Sequence, residues 1–277
     1  MSGRRGWAKG AGTGLAIGWL VVLVLGAVTA GLLPLDDFDK LVGDPGVPVF
    51  SDWSHPLGTD GLGRDVLARL LYGARSSLVV SVGAAAVGLL VGGLLGVLAG
   101  YLRGWFEAVT DVLFNTLLAF PPLIMLLALA SVVSPTLWTL ACGLALLAVP
   151  PGARLAKANV ASATGREYVL AARAMGASGR RIVLRELVPN IVQPMISFAF
   201  VGIAGLIVAE GSLSFLGLGI PPPNPSWGGM IAAGKDDLAD HPAYVFVPCA
   251  AMFLTVLALN TVANRLNSRL DVRASKV

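Results

Sequence analysis

The chain has 277 residues, 56% of them hydrophobic and 13% charged, with a formal net charge of +4 and a mean hydropathy of +0.78. Soluble domains carry roughly 25% charged residues and about 45–50% apolar ones. A soluble core domain, a disordered chain and a disulfide-stapled secreted module are therefore excluded, and the basic residues gather on no single face or tail that would suit a nucleic acid.

A bilayer-crossing helix needs about 20 mostly apolar residues. Runs of that kind at 13–35, 77–101, 112–133, 136–155, 191–215 and 244–262 predict an all-α integral membrane protein with six transmembrane helices. The first run follows Arg4 and Arg5 and contains Val28-Thr29-Ala30, which looks like a cleavage site. Its apolar length exceeds the about 7–15 residues of a signal core, so an uncleaved span is expected. Next comes an acidic loop carrying Asp36, Asp37, Asp39, Asp44, Asp52, Asp60 and Asp65. Apolar residues at helical spacing over 64–72 predict a short amphipathic helix on the membrane surface ahead of the second span.

The second span places Ala84, Gly88, Gly92, Gly96 and Gly100 at every fourth position. Such a ridge lets another helix backbone approach closely. Since Gly costs about 1 kcal/mol against Ala in a helix interior, the register points to a tight interface, with a helix of this chain or of another subunit. The fourth span is the weakest, because Pro150 and Pro151 end its clean apolar stretch. The fifth carries Glu210 toward its outer end, either a functional intramembrane acid or a side chain reaching the interface. The expected division is an N-terminal helix and loop over 1–76, a membrane domain over 77–264 and a tail over 265–277.

Lys and Arg are retained on the cytoplasmic side. With both termini inside, fifteen of the twenty cationic residues fall in cytoplasmic segments, from Arg4, Arg5 and Lys9 through Arg103, Arg154 and Lys157 to Arg265, Arg269, Arg273 and Lys276. Lys40, Arg64, Arg69, Arg75 and Lys235 fall outside. Cys142 and Cys249 lie in apolar runs and read as small hydrophobes, while His55 and His241 each precede a proline with no second ligand nearby; no metal or cofactor site is expected. No Ser/His, paired-Asp or metal constellation lies in the spans, so an intramembrane enzyme has no support. The segment 229–236 nearly matches a phosphate-cradling loop, but Asp236 replaces the hydroxyl that would hold magnesium. It is read as coincidence.

The cytoplasmic segment before the fifth span is the most structured in its residues. A helix former over 166–175, including Glu167, Ala171 and Ala172, is followed by Gly176, suited to the left-handed position that ends a helix. Ser178 can cap a second helix bearing Arg180, Arg181 and Arg185, which Pro189 stops. A helix–Gly–helix element of this kind is built to dock on a protein.

This segment resembles the EAA loop, E-A-A-x3-G-x9-I-x-L-P, of ABC importer permeases, with Ala171, Ala172, Gly176 and Pro189 on its positions. Leu170, Glu186 and Val188 depart from the motif. With the stretch 55–65 (HPLGTDGLGRD) and the stretch 210–219 (EGSLSFLGLG) followed by Pro225-Ser226-Trp227-Gly228, the chain is similar to C-type permease subunits of dipeptide/oligopeptide/nickel ABC importers. The resemblance implies a type I importer permease fold in the bacterial plasma membrane. It implies half of a pore, shared with a second permease subunit, and two cytoplasmic ATPases that hold the ATP and magnesium. It also implies an extracytoplasmic solute-binding protein. The EAA loop would supply the coupling helix, with Glu167 standing in for the acid that Leu170 replaces. Di- or oligopeptides are the expected cargo, and nickel or another small solute is the alternative. A stand-alone secondary transporter or channel is the rival of another class, and the near absence of buried charge argues against it.

Overall fold

A computed structural model describes the backbone of residues 3–134 and 136–274, and side chains from 11 to 268 other than Pro135. The side chains of Arg4, Arg5, Lys9, Arg269 and Arg273, and all of Lys276, used above for orientation, lie outside the described residues. The helices are α1 (Gly3–Thr29), α2 (Val66–Leu102), α3 (Gly104–Ala119), α4 (Pro122–Val132), α5 (Leu137–Ala163), α6 (Glu167–Ala174), α7 (Gly179–Phe215), α8 (Trp227–Gly234) and α9 (Ala243–Ala274). Among them α1, α2, α5, α7 and α9 are each long and apolar enough to cross a bilayer. The pair α3 and α4 adds a sixth crossing only if counted together.

Four expectations change. The run 112–133 is not one straight span, because α3 and α4 meet at 86°. Phe120 and Pro121 are extended and Pro122 opens α4. A proline forces its predecessor out of the helical region, and is accepted in the first turn of the next helix. The surface helix expected over 64–72 does not exist as a separate element. Asp65 caps α2 by accepting from the Leu67 N–H at 2.7 Å, and no proline interrupts the helix from there to Leu102. Val66, Ala68 and Arg69 are buried instead of lying on a membrane surface.

Pro150 and Pro151, already within the expected span 136–155, do not break α5. Spanning helices tolerate proline where neighbouring helices support the freed backbone, and α2 grips α5 along this stretch. Nor does Pro189 stop a short cytoplasmic helix, since α7 runs through it for 37 residues. The turn before it, Ile182–Leu187, is π-helical. There the Val188 N–H reaches back to Val183 O, and Asn190 Nδ2 donates to Glu186 O at 2.6 Å. The wider turn and the side-chain donor carry the hydrogen-bond ladder past a residue that has no N–H. At the other end of the chain, α9 continues through residues expected to form a tail.

The glycine ridge of α2 packs on α5, so its partner is internal. A Cβ on Gly88 would stand 2.6 Å from Ala148 Cβ, and one on Gly100 3.0 Å from Lys157 O. On Gly92 and Gly96 it would overlap the carbonyl oxygens of Val149 and Ala153. The contact is reciprocal, since a Cβ on Gly152 would lie 2.6 Å from Gly88 O. Ala84 continues the seam, fully buried among Val80, Leu140 and Leu144. Within lipid such contacts replace the hydrophobic effect as the source of helix association. α1 lies against α9, where Trp19 Nε1 donates to Thr255 Oγ1 at 3.1 Å. Cys142 and Cys249 are free thiols.

Candidate functional site

α6 and the start of α7 form the densest cluster of the candidate residues. Glu167 opens α6 and Arg173 closes it, each at the helix end where its charge suits the macrodipole. The helix ends in a Schellman motif: Gly176 has φ +78°, the Gly176 N–H bonds Arg173 O and the Ala177 N–H bonds Ala172 O, both at 3.0 Å. A left-handed backbone is cheap only for glycine. Ser178 then caps α7, accepting from the Arg181 N–H at 3.4 Å.

The two alanines of the motif take different sides. Ala172 is buried with Val169 among Val97, Ala156, Val160, Ile182 and Leu187, which fastens α6 to the ends of α2, α5 and α7. Ala171 is exposed, beside Leu170 at 50% and Met175 at 81% exposure. Arg173 on the same helix, and Arg180, Arg181 and Arg185 on the first turns of α7, are all exposed. Glu167 is exposed too; among the described residues it makes no ion pair. Pro189 is exposed on α7.

Glu210 sits far from this surface. Some 30 residues of α7 separate it from Arg180, about 45 Å at 1.5 Å per residue. It neither reaches an interface nor faces an open path, being 1% exposed. Its Oε2 accepts from Ser77 Oγ of α2 at 2.8 Å and its Oε1 from Ser214 Oγ at 2.7 Å. Ser226 Oγ donates to Ser214 Oγ at 3.2 Å, and the Trp227 N–H reaches Ser77 Oγ at 3.3 Å. Trp227, fully buried, also donates from Nε1 to Leu70 O at 3.1 Å. One acid thereby ties α2, α7 and α8 together. The segment with the phosphate-loop spacing begins inside α8, a helix capped by Ser226, with Gly228 pressed on the Gly211 backbone. It is packed helix rather than an anion-cradling loop.

Two charged clusters had not stood out in the sequence. Lys157 of α5 holds Glu107 at 2.7 Å and Asp111 at 2.6 Å, and Arg154 donates to Asn115 at 2.5 Å, so α3 is tied to α5 by polar groups. The spacing of Glu107 with Asp111 and of Arg154 with Lys157 marks a charged stripe on each helix, but not that the stripes meet. At the end of the molecule carrying the acidic loop, Asp60 gathers Arg64 and Arg69.

Comparison with known proteins gives concordant results. A family model described as "Binding-protein-dependent transport system inner membrane component" matches residues 92–276. A protein named as a peptide permease in Brucella suis biovar 1 is 36% identical over 80% of this chain and 74% of its own length. The glutathione transport system permease protein GsiD of Escherichia coli is 34% identical over 91% of this chain and 84% of its own. Among solved structures, a chain of the inward-facing MetNI methionine ABC transporter superposes with a TM-score of 0.59 at 17% identity. That match covers 72% of this chain and 95% of the other, and shows a shared fold.

Proposed function

This chain belongs to the family of binding-protein-dependent transport system inner membrane components, a multi-pass permease subunit of an ABC importer, and from that premise we propose how its parts work. The surface around Ala171, Leu170 and Met175 receives a cytoplasmic ATPase, with the exposed arginines setting its orientation. Both termini then lie in the cytoplasm and the loop 30–65 lies outside, with α3 and α4 together making the sixth crossing. A second permease subunit completes the pore, and a solute-binding protein delivers cargo to the outer face. Bound ATP and magnesium remain on the ATPase subunits. Short peptides are the proposed cargo, supported by the names of the relatives in Brucella suis and Escherichia coli.

The observation carrying this reading is mechanical. α6 presents an exposed apolar tip while its other face, Val169 and Ala172, is sunk into the ends of α2, α5 and α7. A push on α6 therefore moves three helices together. α7 is continuous for 37 residues, so a tilt at its cytoplasmic end is passed along one helix, through its π-helical turn, toward the Glu210 node.

The test is the assembled transporter in proteoliposomes, with ATP hydrolysis read with and without loaded binding protein. Ala171→Glu places a charge in the centre of the docking patch, where interface energy concentrates. It is expected to cut coupled hydrolysis about ten-fold or more while the permease still folds. Undiminished coupling in that variant removes the docking assignment. Glu167→Ala is the companion: normal transport would show that this acid does not replace the one missing at Leu170.

A further inference from the structure

A cavity of about 240 Å³ lies between the loop 30–65 and the corner joining α8 to α9. Asp60, Arg64 and Arg69 form one wall, and Asp237 and Tyr244 the other. Gly61 lets the two walls come close, since a Cβ there would stand only 3.3 Å from Asp237 Oδ2. The size suits a ligand at or below the small end of ordinary small-molecule sites, about 300–1,000 Å³.

The chemistry of the two walls differs. Asp60 has no acceptor capacity to spare. Its Oδ1 takes the N–H groups of Leu62 at 2.9 Å and Arg64 at 3.0 Å. Its Oδ2 takes Arg64 Nε at 2.8 Å and Nη2 at 2.7 Å, with Arg69 Nε at 3.4 Å. One carboxylate thus serves two guanidinium groups, and Arg69 sends only Nη1 elsewhere, to Phe38 O at 3.0 Å. Each guanidinium has five N–H donors, so both arginines keep donors in hand. Tyr244 adds another, being 7% exposed with a hydroxyl that has no hydrogen-bond partner among the described residues. An orphaned buried hydroxyl costs about 1–3 kcal/mol unless something fills its need. The buried part of the cavity therefore lacks an acceptor. Asp237 is exposed, and supplies a negative charge at the rim.

We propose that this cavity binds a small zwitterion, an amino acid or a short peptide, with its carboxylate held by Arg64, Arg69 and Tyr244 and its ammonium group by Asp237. The site is distinct from the ATPase-docking surface and does not depend on the import reading. The wall 60–69 precedes the residues matched by the family model, and the wall 230–244 lies within them. The binding site is accordingly made where this chain's N-terminal part meets the shared permease core.

Calorimetric titration of the purified full-length chain in lipid nanodiscs, without nucleotide, ATPase or binding protein, reads this site alone. The probes are alanine, alanyl-alanine, N-acetyl-alanyl-alanine, alanyl-alanine amide and inorganic phosphate. Saturable binding of alanine or alanyl-alanine is expected, and the tighter of the two identifies the ligand's length. Blocking either terminus of the dipeptide should weaken it about ten-fold, the scale of a lost charge-assisted hydrogen bond. Tyr244→Phe keeps the ring and should weaken binding roughly five-fold without lowering the thermal midpoint of the ligand-free protein, since it removes an orphaned hydroxyl. Asp237→Asn should weaken the free dipeptide and leave the acetylated one unaffected. The proposal is overturned if neither zwitterion binds saturably, if blocked peptides or phosphate bind as tightly, or if both variants bind like the wild type. Loss of transport alone would bear on the import reading and leave this result standing.

Discussion

α5 packs closely on α2, backbone against backbone at Gly92 and Gly96, and is joined to α3 by Lys157 and Arg154 across polar contacts. The first contact admits one geometry, because a carbonyl oxygen occupies the place where a Cβ would go. The second is made by long side chains that can re-aim without losing their partners. The pair α2–α5 thus behaves as a rigid unit to which α6 is fastened, while α3 and the sharply bent α4 can shift against it. A transporter needs both properties, a frame that transmits force and elements that change position.

The sharpest way to break this comparison is to overfill the seam. Gly96→Leu is expected to cost about 3 kcal/mol or more, read as a large fall in thermal midpoint and in monodisperse yield. Gly83→Leu on the same helix meets nothing within 4 Å and should behave like the wild type. Equal tolerance at both positions would show that the seam is not rigid. Next in size is Glu210→Ala, which strands the hydroxyls of Ser77 and Ser214; a loss of about 1–3 kcal/mol is expected for each buried group left unpaired. Glu210→Gln keeps one acceptor oxygen for one of the two serines and puts an NH2 donor opposite the other, so it should recover about half of that loss.

The polar contact of α5 should respond far less. Lys157→Met removes a partner shared by two partly exposed acids, with an expected cost of about 0.5–1 kcal/mol that shrinks further in high salt. A loss as large as that of Gly96→Leu would erase the distinction between the two contacts. Smallest of all is the loop pair Lys40–Asp36, at 2.6 Å. The hydrogen bond from Lys40 holds the Asp36 carboxyl below its ordinary value of 3.8. Its folded-state value being depressed, any stabilisation is present above that ordinary value and disappears as pH falls through the folded one. The pair is exposed, so Asp36→Asn should leave the midpoint at pH 7 unchanged within error.

Much of this molecule was legible in one dimension. Long apolar runs can only be satisfied as helices in lipid, so the presence of the long helices followed from composition and run length. Gly176 and Ser178 announced the two helix ends at the proposed docking surface, because left-handed backbone and N-cap chemistry are local requirements. The ridge from Ala84 to Gly100 announced a close approach. Prolines were the misleading signal. Pro189 lies within a continuous helix, where a π-helical turn and Asn190 Nδ2 serve the hydrogen-bond ladder, whereas Pro121 and Pro122 break one.

What the residues by themselves determined was which groups require close packing, capping or burial in an apolar medium, since these demands are set within a few residues along the chain. The tertiary structure decided which groups meet: α5 as the partner of the glycine ridge, Ser77 as the donor to Glu210, Tyr244 across a cavity from Asp60. Those pairings span dozens to more than a hundred residues, and periodicity along a helix carries no information about the helix on the other side.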